Sequence, residues 1–272
     1  MDTTGDADTN ANPNACENDE PDGDCTLRQA IEKSNVDGGG STIDFTKLPT
    51  SDPNYDGVTG RWVILPTQPL PAIDDASGGT VIIGRNDNPT FTPRIVLDGS
   101  SLAGTGNGIE IQSGGNIISR MIIVNFRSSS LLTGAGIRIT GASAFENQVV
   151  GSYIGNYPGI LTQAGNQLAG VLIDGGATSN FIGGSGANRN VISGNGYNSS
   201  GQPTGGDGIR ISGTGTSGNL VRGNYIGTGL TTSFVEGALP NTGHGIQIAD
   251  SASNTIGGDA NARNIISANS GA

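Results

Sequence analysis

Charge, aromatic rings and reactive side chains are all scarce in this chain. Only 14 % of its residues are charged and 4 % aromatic, and it holds one His and two Cys. No run of apolar residues approaches the roughly 20 needed to cross a bilayer as a helix, and no charged-then-apolar leader opens the sequence. Basic residues are outnumbered, giving a net charge of −11. Such a field repels nucleic acid and anionic lipid, so neither is expected as a partner. What is plentiful is Gly, 47 of 272 residues, together with Asn. Both are turn formers, and their abundance points to many tight turns and short strands with few long helices.

The two cysteines, Cys16 and Cys25, enclose Glu17 to Asp24. That interval suits a short disulfide loop in an oxidising compartment, with free intracellular thiols as the alternative. The same loop carries Asp19, Glu20, Asp22 and Asp24, oxygen ligands of the type Ca²⁺ takes. Their order does not match an EF-hand, and a solvated acidic loop is the competing reading. No other cofactor is indicated.

Along the chain, residues 1–25 read as a polar lead-in. Residues 26–37 read as one short amphipathic helix, because Leu27, Ala30 and Ile31 recur at helical spacing behind a possible N-cap, Thr26. Gly38, Gly39 and Gly40 end it. From residue 42 to 272 the pattern is one of short strands, beginning at Thr42 to Phe45, Trp62 to Leu65, Thr80 to Ile83 and Arg94 to Leu97.

From Gly106 onward the chain repeats itself, and a repeat of this kind decides the fold. Five segments begin at Gly108, Gly136, Gly170, Gly208 and Gly245 and place Ile109, Ile137, Val171, Ile209 and Ile246 at the same position. Each is followed by an Asn with an apolar residue two positions on: Asn116, Asn147, Asn180, Asn219 and Asn254. A third strand follows after 5 or 10 residues, at Met121, Ser152, Asn190, Asn224 and Asn264. The long form at Asn180 and Asn190 returns 74 residues later at Asn254 and Asn264, so the repeating unit is two coils. Side chains alternate faces in a strand, so the aliphatic pairs face inward. Three short strands per coil bend the chain into a triangular course whose like residues stack. The expected fold is therefore all-β, a right-handed parallel β-helix with three sheets. Its turn asparagines should form ladders, since an amide both donates and accepts. An antiparallel sandwich or barrel also has short strands, but gives no reason for such columns.

The run Asp24-Cys-Thr-Leu-Arg-Gln-Ala-Ile31 resembles the Cys-Ser-Leu-Arg-Glu-Ala-Ile signature of a family of exported bacterial β-helix proteins, the CSLREA-signature family, with a pectin-lyase-like fold. Thr42-Ile-Asp-Phe45, Leu65-Pro66 and the paired Asn-x-Ile-Gly-Gly and Ala-Arg-Asn-Ile-Ile-Ser elements are similar to the repeats that accompany it. The resemblance implies an extracellular or cell-surface module of a larger protein, its Cys-containing helix capping the N-terminal end. It implies no established reaction. The chain stops at Asn269-Ser-Gly-Ala272, partway through a coil, which reads as a fragment or as a subunit whose end meets a neighbour.

Many β-helices act on acidic polysaccharides, so an enzymatic role depends on which residues are present. His244 falls in a column with Asn107, Ala135, Ala169 and Asp207, and Arg210 lies close by on an outward face with Arg138 and Glu110. Asp207, Arg210 and His244 in adjacent coils are the candidates for acid–base chemistry on a sugar. Inverting hydrolysis needs two opposed carboxylates, and Asp207 has no evident partner. The favoured expectation is that these are polar turn residues and solvated arginines of a non-catalytic, adhesive scaffold. Glycans bound by the longer loops, Gly155 to Gln167 and Tyr197 to Gly205, or neighbouring copies or domains, would be its partners. End-to-end assembly into filaments is a further alternative.

Overall fold

The computed structural model of the chain describes residues 4–5, 16, 25–85, 92–127, 132–159, 164–230 and 236–271. Among the described residues there is one α-helix, α1 (Leu27–Val36), followed by short strands. Thr26 caps α1: its hydroxyl accepts from the Gln29 amide while the Gln29 side chain accepts from the Thr26 amide, so two otherwise orphaned donors are satisfied reciprocally. Leu27, Ala30 and Ile31 are buried and share one core with Ile43 and Phe45. Arg28 ties the outer side of α1 to the carbonyls of Gln68 and Pro69 at 2.9 and 2.8 Å. Immediately before α1, Cys25 is disulfide-bonded to Cys16, with Cα atoms 5.0 Å apart.

From Ile109–Ile111 to Tyr225–Ile226 every third strand joins the same sheet, and the strands beyond α1 form three stacks of parallel strands. The first sheet runs Thr42–Asp44, Val81–Ile83, Ile117–Ser119, Gln148–Val150, Phe181–Ile182, Leu220–Val221 and Thr255–Ile256. The second runs Arg61–Ile64, Ile95–Asp98, Met121–Val124, Tyr153–Ile154, Val191–Ile192, Tyr225–Ile226 and Ile265–Ile266, with Tyr55–Asp56 added antiparallel at its start. The third holds Ile109–Ile111, Ala135–Thr140, Ala169–Asp174, Asp207–Ser212 and Ile246–Ala249. The described residues thus pass through seven levels, numbered by the second sheet from Arg61–Ile64 to Ile265–Ile266. Among the described residues the other antiparallel pair of strands is the hairpin Thr228–Leu230 with Glu236–Ala238.

Register is what packs the core. Ile109, Ile137, Val171, Ile209 and Ile246 are direct neighbours across the third sheet, as the sequence columns require. Ile118, Val149, Ile182 and Val221 form the matching column of the first sheet, and all four are fully buried. Burying one such side chain stabilises by about 1.5–3 kcal/mol, and a one-residue slip in any strand would turn its column to solvent.

Asparagine ladders mark the corners. Along the first, the side-chain amide of Asn116 donates to the Oδ1 of Asn147, and so on through Asn180 and Asn219 to Asn254, each at 2.9 Å. Asn219 uses every position it has. Its Oδ1 accepts from the backbone and side chain of Asn180, and its Nδ2 donates to Asn254 and to the Ala177 carbonyl. The second ladder joins Asn190, Asn224 and Asn264 at 3.1 Å, with Ser152 donating its backbone amide to Asn190 above them. A third ladder, Asn166 to Asn195 to Asn241 to Asn269, was not foreseen from sequence.

Candidate functional site

Asp207, Arg210 and His244 do come together on the third sheet. Asp207 opens the strand Asp207–Ser212 and pairs across the sheet with Ala169. His244 lies one level on, where its backbone amide donates to Asp207 Oδ1 at 2.8 Å and its Nδ1 sits 3.1 Å from the same oxygen. Arg210 lies between the buried Ile209 and Ile211 and so points outward, and its Nε and Nη2 both reach Asp207 Oδ2 at 2.7 Å. The Asp207 carboxylate is wholly buried, whereas the His244 side chain remains 40 % exposed.

Two expectations about these groups need correction. Asp207 is a strand residue rather than a turn residue. The arginines are not solvated either, because a carboxylate reaches each. Arg138 stands opposite Glu110 and one level from Asp174. It donates to Asp174 from Nε and Nη2 at 3.0–3.3 Å and lies 3.7 Å from Glu110. Glu110 in turn accepts from Asn107 at 2.9 Å and Gln112 at 2.7 Å. Asp174 was overlooked in the sequence, although its place two residues after Leu172, in register with Arg138 and Arg210, is the signal that would have found it.

The arrangement holds its carboxylates as fixed charges within the face. A general base needs a lone pair free to reach its substrate. Both oxygens of Asp207 are already engaged, and Asp174 and Glu110 are likewise held within the face. The acidic loop residues Asp19, Glu20, Asp22 and Asp24 lie outside the described residues, as do residues 160–163 of one expected binding loop.

The described part of that loop is strapped onto the second sheet. Arg61 Nη2 donates to the Pro158 carbonyl at 2.8 Å, the Tyr157 hydroxyl to Asp98 at 3.1 Å, and Arg127 Nη1 to the Gly165 and Tyr197 carbonyls at 2.8 Å. Beneath it Val96, Ile122, Val124 and Ala164 form a small second core. Burial there, with the Asp98 charge beside it and the bond to Asp98, pushes the Tyr157 hydroxyl well above the ordinary tyrosine range, and burial raises Tyr153 as well. The same desolvation lowers Arg61 and Arg127. The second loop, Tyr197 to Gly205, is a turn closed by Asn198 N to Gln202 O at 3.0 Å and by Asn198 Oδ1, which accepts from Ser200 and Gln202. No family model matches the chain, and neither a curated protein nor a solved structure does.

Proposed function

We propose that the chain is a right-handed parallel β-helix of the CSLREA-signature type, working as a non-catalytic structural and adhesive module of an exported surface protein. The handedness follows the general rule for crossovers between parallel strands of one sheet. The observation that carries the functional reading is the self-sufficiency of the third-sheet face. Each carboxylate there is matched by an arginine, an amide or a backbone donor of the same face, which fits a rigid support. A disulfide beside the capping helix fits an oxidising compartment. Among the described residues no helix is long and apolar enough to cross a membrane.

A second reading, a polysaccharide-active enzyme, has one observation in its favour, the contact of His244 with buried Asp207. A panel of polyuronates and neutral polysaccharides separates the two. The scaffold reading expects neither reducing-sugar release nor unsaturated product. Turnover that disappears in His244→Ala would replace it with the enzyme.

A further inference from the structure

The turn at residues 197–205 stands outside the three ladders and carries an asparagine of a different kind. Of the chain's 26 asparagines, Asn198 alone is followed two positions on by Ser or Thr without an intervening Pro, in Asn198-Ser199-Ser200. That triplet is the acceptor motif for an N-linked sugar. The fold explains its rarity in a chain rich in Asn, Ser and Thr. A ladder asparagine is followed two positions on by the inward aliphatic residue of its strand, as Asn180 is by Ile182, Asn219 by Val221 and Asn190 by Ile192, all fully buried. The repeat itself therefore excludes the hydroxyl that the motif needs, and an insert between strands does not.

The amide nitrogen of Asn198 also differs in what it does. In Asn180, Asn195 and Asn219 the Nδ2 group donates both to the asparagine of the next level and to a backbone carbonyl, so both hydrogens are spent in the interior. Asn198 builds its turn with other atoms. Its backbone amide donates to the Gln202 carbonyl, and its Oδ1 accepts from Ser200 N at 3.0 Å and Gln202 N at 2.9 Å. Its Nδ2 and the Ser200 hydroxyl make no hydrogen bond among the described residues. Ser199 to Gly205 are exposed, while the base of the turn is fixed: Tyr197 bridges to Pro203, and the Thr204 hydroxyl donates to the Gly196 and Gln167 carbonyls at 2.8 and 3.0 Å. A group added to Nδ2 displaces no internal bond, because Oδ1 keeps both of its donors.

We propose that Asn198 is the acceptor of an N-linked sugar, which a transferase delivers from a sugar diphosphate ester. In the step, Nδ2 bonds to the anomeric carbon of the sugar as the bond from that carbon to the diphosphate oxygen breaks. The diphosphate leaves with the electron pair, one amide proton passes to a base of the transferase, and nothing is oxidised or reduced. Ser200 supplies the hydroxyl two positions on, and Ser199 fills the variable place between. The donor's diphosphate belongs either to a nucleoside or to a lipid carrier, and the size of the transferred sugar tells the two apart. The inference goes beyond the adhesive reading and stands or falls separately from it, since a sugar on this turn touches neither the ladders nor the third-sheet face.

The test is peptide mass spectrometry on the full chain purified from the cells that naturally make it, with fragmentation of the tryptic peptide between Arg189 and Arg210. Asn198 should carry added sugar, and the other two asparagines of that peptide, Asn190 and Asn195, should carry none. One or two hexoses identify a nucleoside diphosphate donor, and a preassembled oligosaccharide identifies a lipid-linked one; either supports the proposal. Variants made in the same cells give the motif's signature. Asn198→Gln and Ser200→Ala should each abolish the modification, Ser200→Thr and Ser199→Ala should keep it, and Ser200→Ala should leave the urea midpoint unchanged, because it retains the backbone donor to Asn198. An unmodified Asn198 in the native protein overturns the proposal. So does sugar found on Ser199, Ser200 or a ladder asparagine instead, or a modification of Asn198 that survives Ser200→Ala.

Discussion

Asn219 satisfies two donors and two acceptor positions inside the protein, so deleting its amide leaves Asn180 and Asn254 each short of a partner. An unsatisfied buried polar group costs about 1–3 kcal/mol, and Asn219→Ala should lower stability by that much in urea melts. Asn198→Ala, in an exposed turn, should change it by about 0.5 kcal/mol or less. Asp207→Ala strips the Arg210 guanidinium and the His244 amide of their shared acceptor. A loss of about 1.5–3 kcal/mol is expected by the same measurement, since bonds to charged groups are the stronger ones. The first two ladders were legible in the sequence because their asparagines keep fixed offsets from the aliphatic positions. The third was not, because the step from the second-sheet isoleucine to its asparagine runs 12 residues from Ile154, 3 from Ile192, 15 from Ile226 and 3 from Ile266. Inserted loops, which tolerate almost any length, hide a column whose spatial register is intact. The recurrence of Ile-Ser-x-Asn at Ile192 and Ile266 was the surviving trace.

At the scale of elements, α1 was readable to within a residue because capping box and apolar spacing are both local. The clamp over the second sheet was not, because it joins Arg61, Asp98, Arg127 and Tyr157 across as many as 97 residues of sequence. The triad of Asp207, Arg210 and His244 was legible as a set, since a shared column foretells contact. What escaped was that the set closes on itself. The clamp has a pH signature. Tyr157 and Tyr153 are held above the ordinary value of about 10. A raised folded-state pKa contributes stability that is complete below the unfolded value and declines as pH climbs past it. Ultraviolet titration should therefore find Tyr157 and Tyr153 ionising above about pH 10, with proteolysis near residues 155–167 increasing at that point. Tyr157→Phe should leave a single late tyrosine. Tyr157 ionising at the ordinary value of about 10 would contradict the clamp.

For the molecule as a whole, stacking makes each level depend on its neighbours, so the ends matter. Reducing Cys16–Cys25 frees a loop of nine-residue separation beside α1. The chain-entropy account of so short a loop gives about 2–3 kcal/mol lost, measurable as a lower denaturation midpoint in reductant. All of this depends on neighbouring levels lying in register, and engineered cysteines test that most directly. Phe181 and Leu220 are opposed on the outer face of the first sheet, and Thr255 is one level further. Adjacent parallel positions lie within the Cα separation a disulfide accepts, whereas positions two levels apart, at about 9.6 Å, do not. Phe181→Cys with Leu220→Cys should oxidise to a cross-link found by peptide mass spectrometry, and Phe181→Cys with Thr255→Cys should stay reduced. The reverse outcome, or a first pair that never closes, would contradict the account.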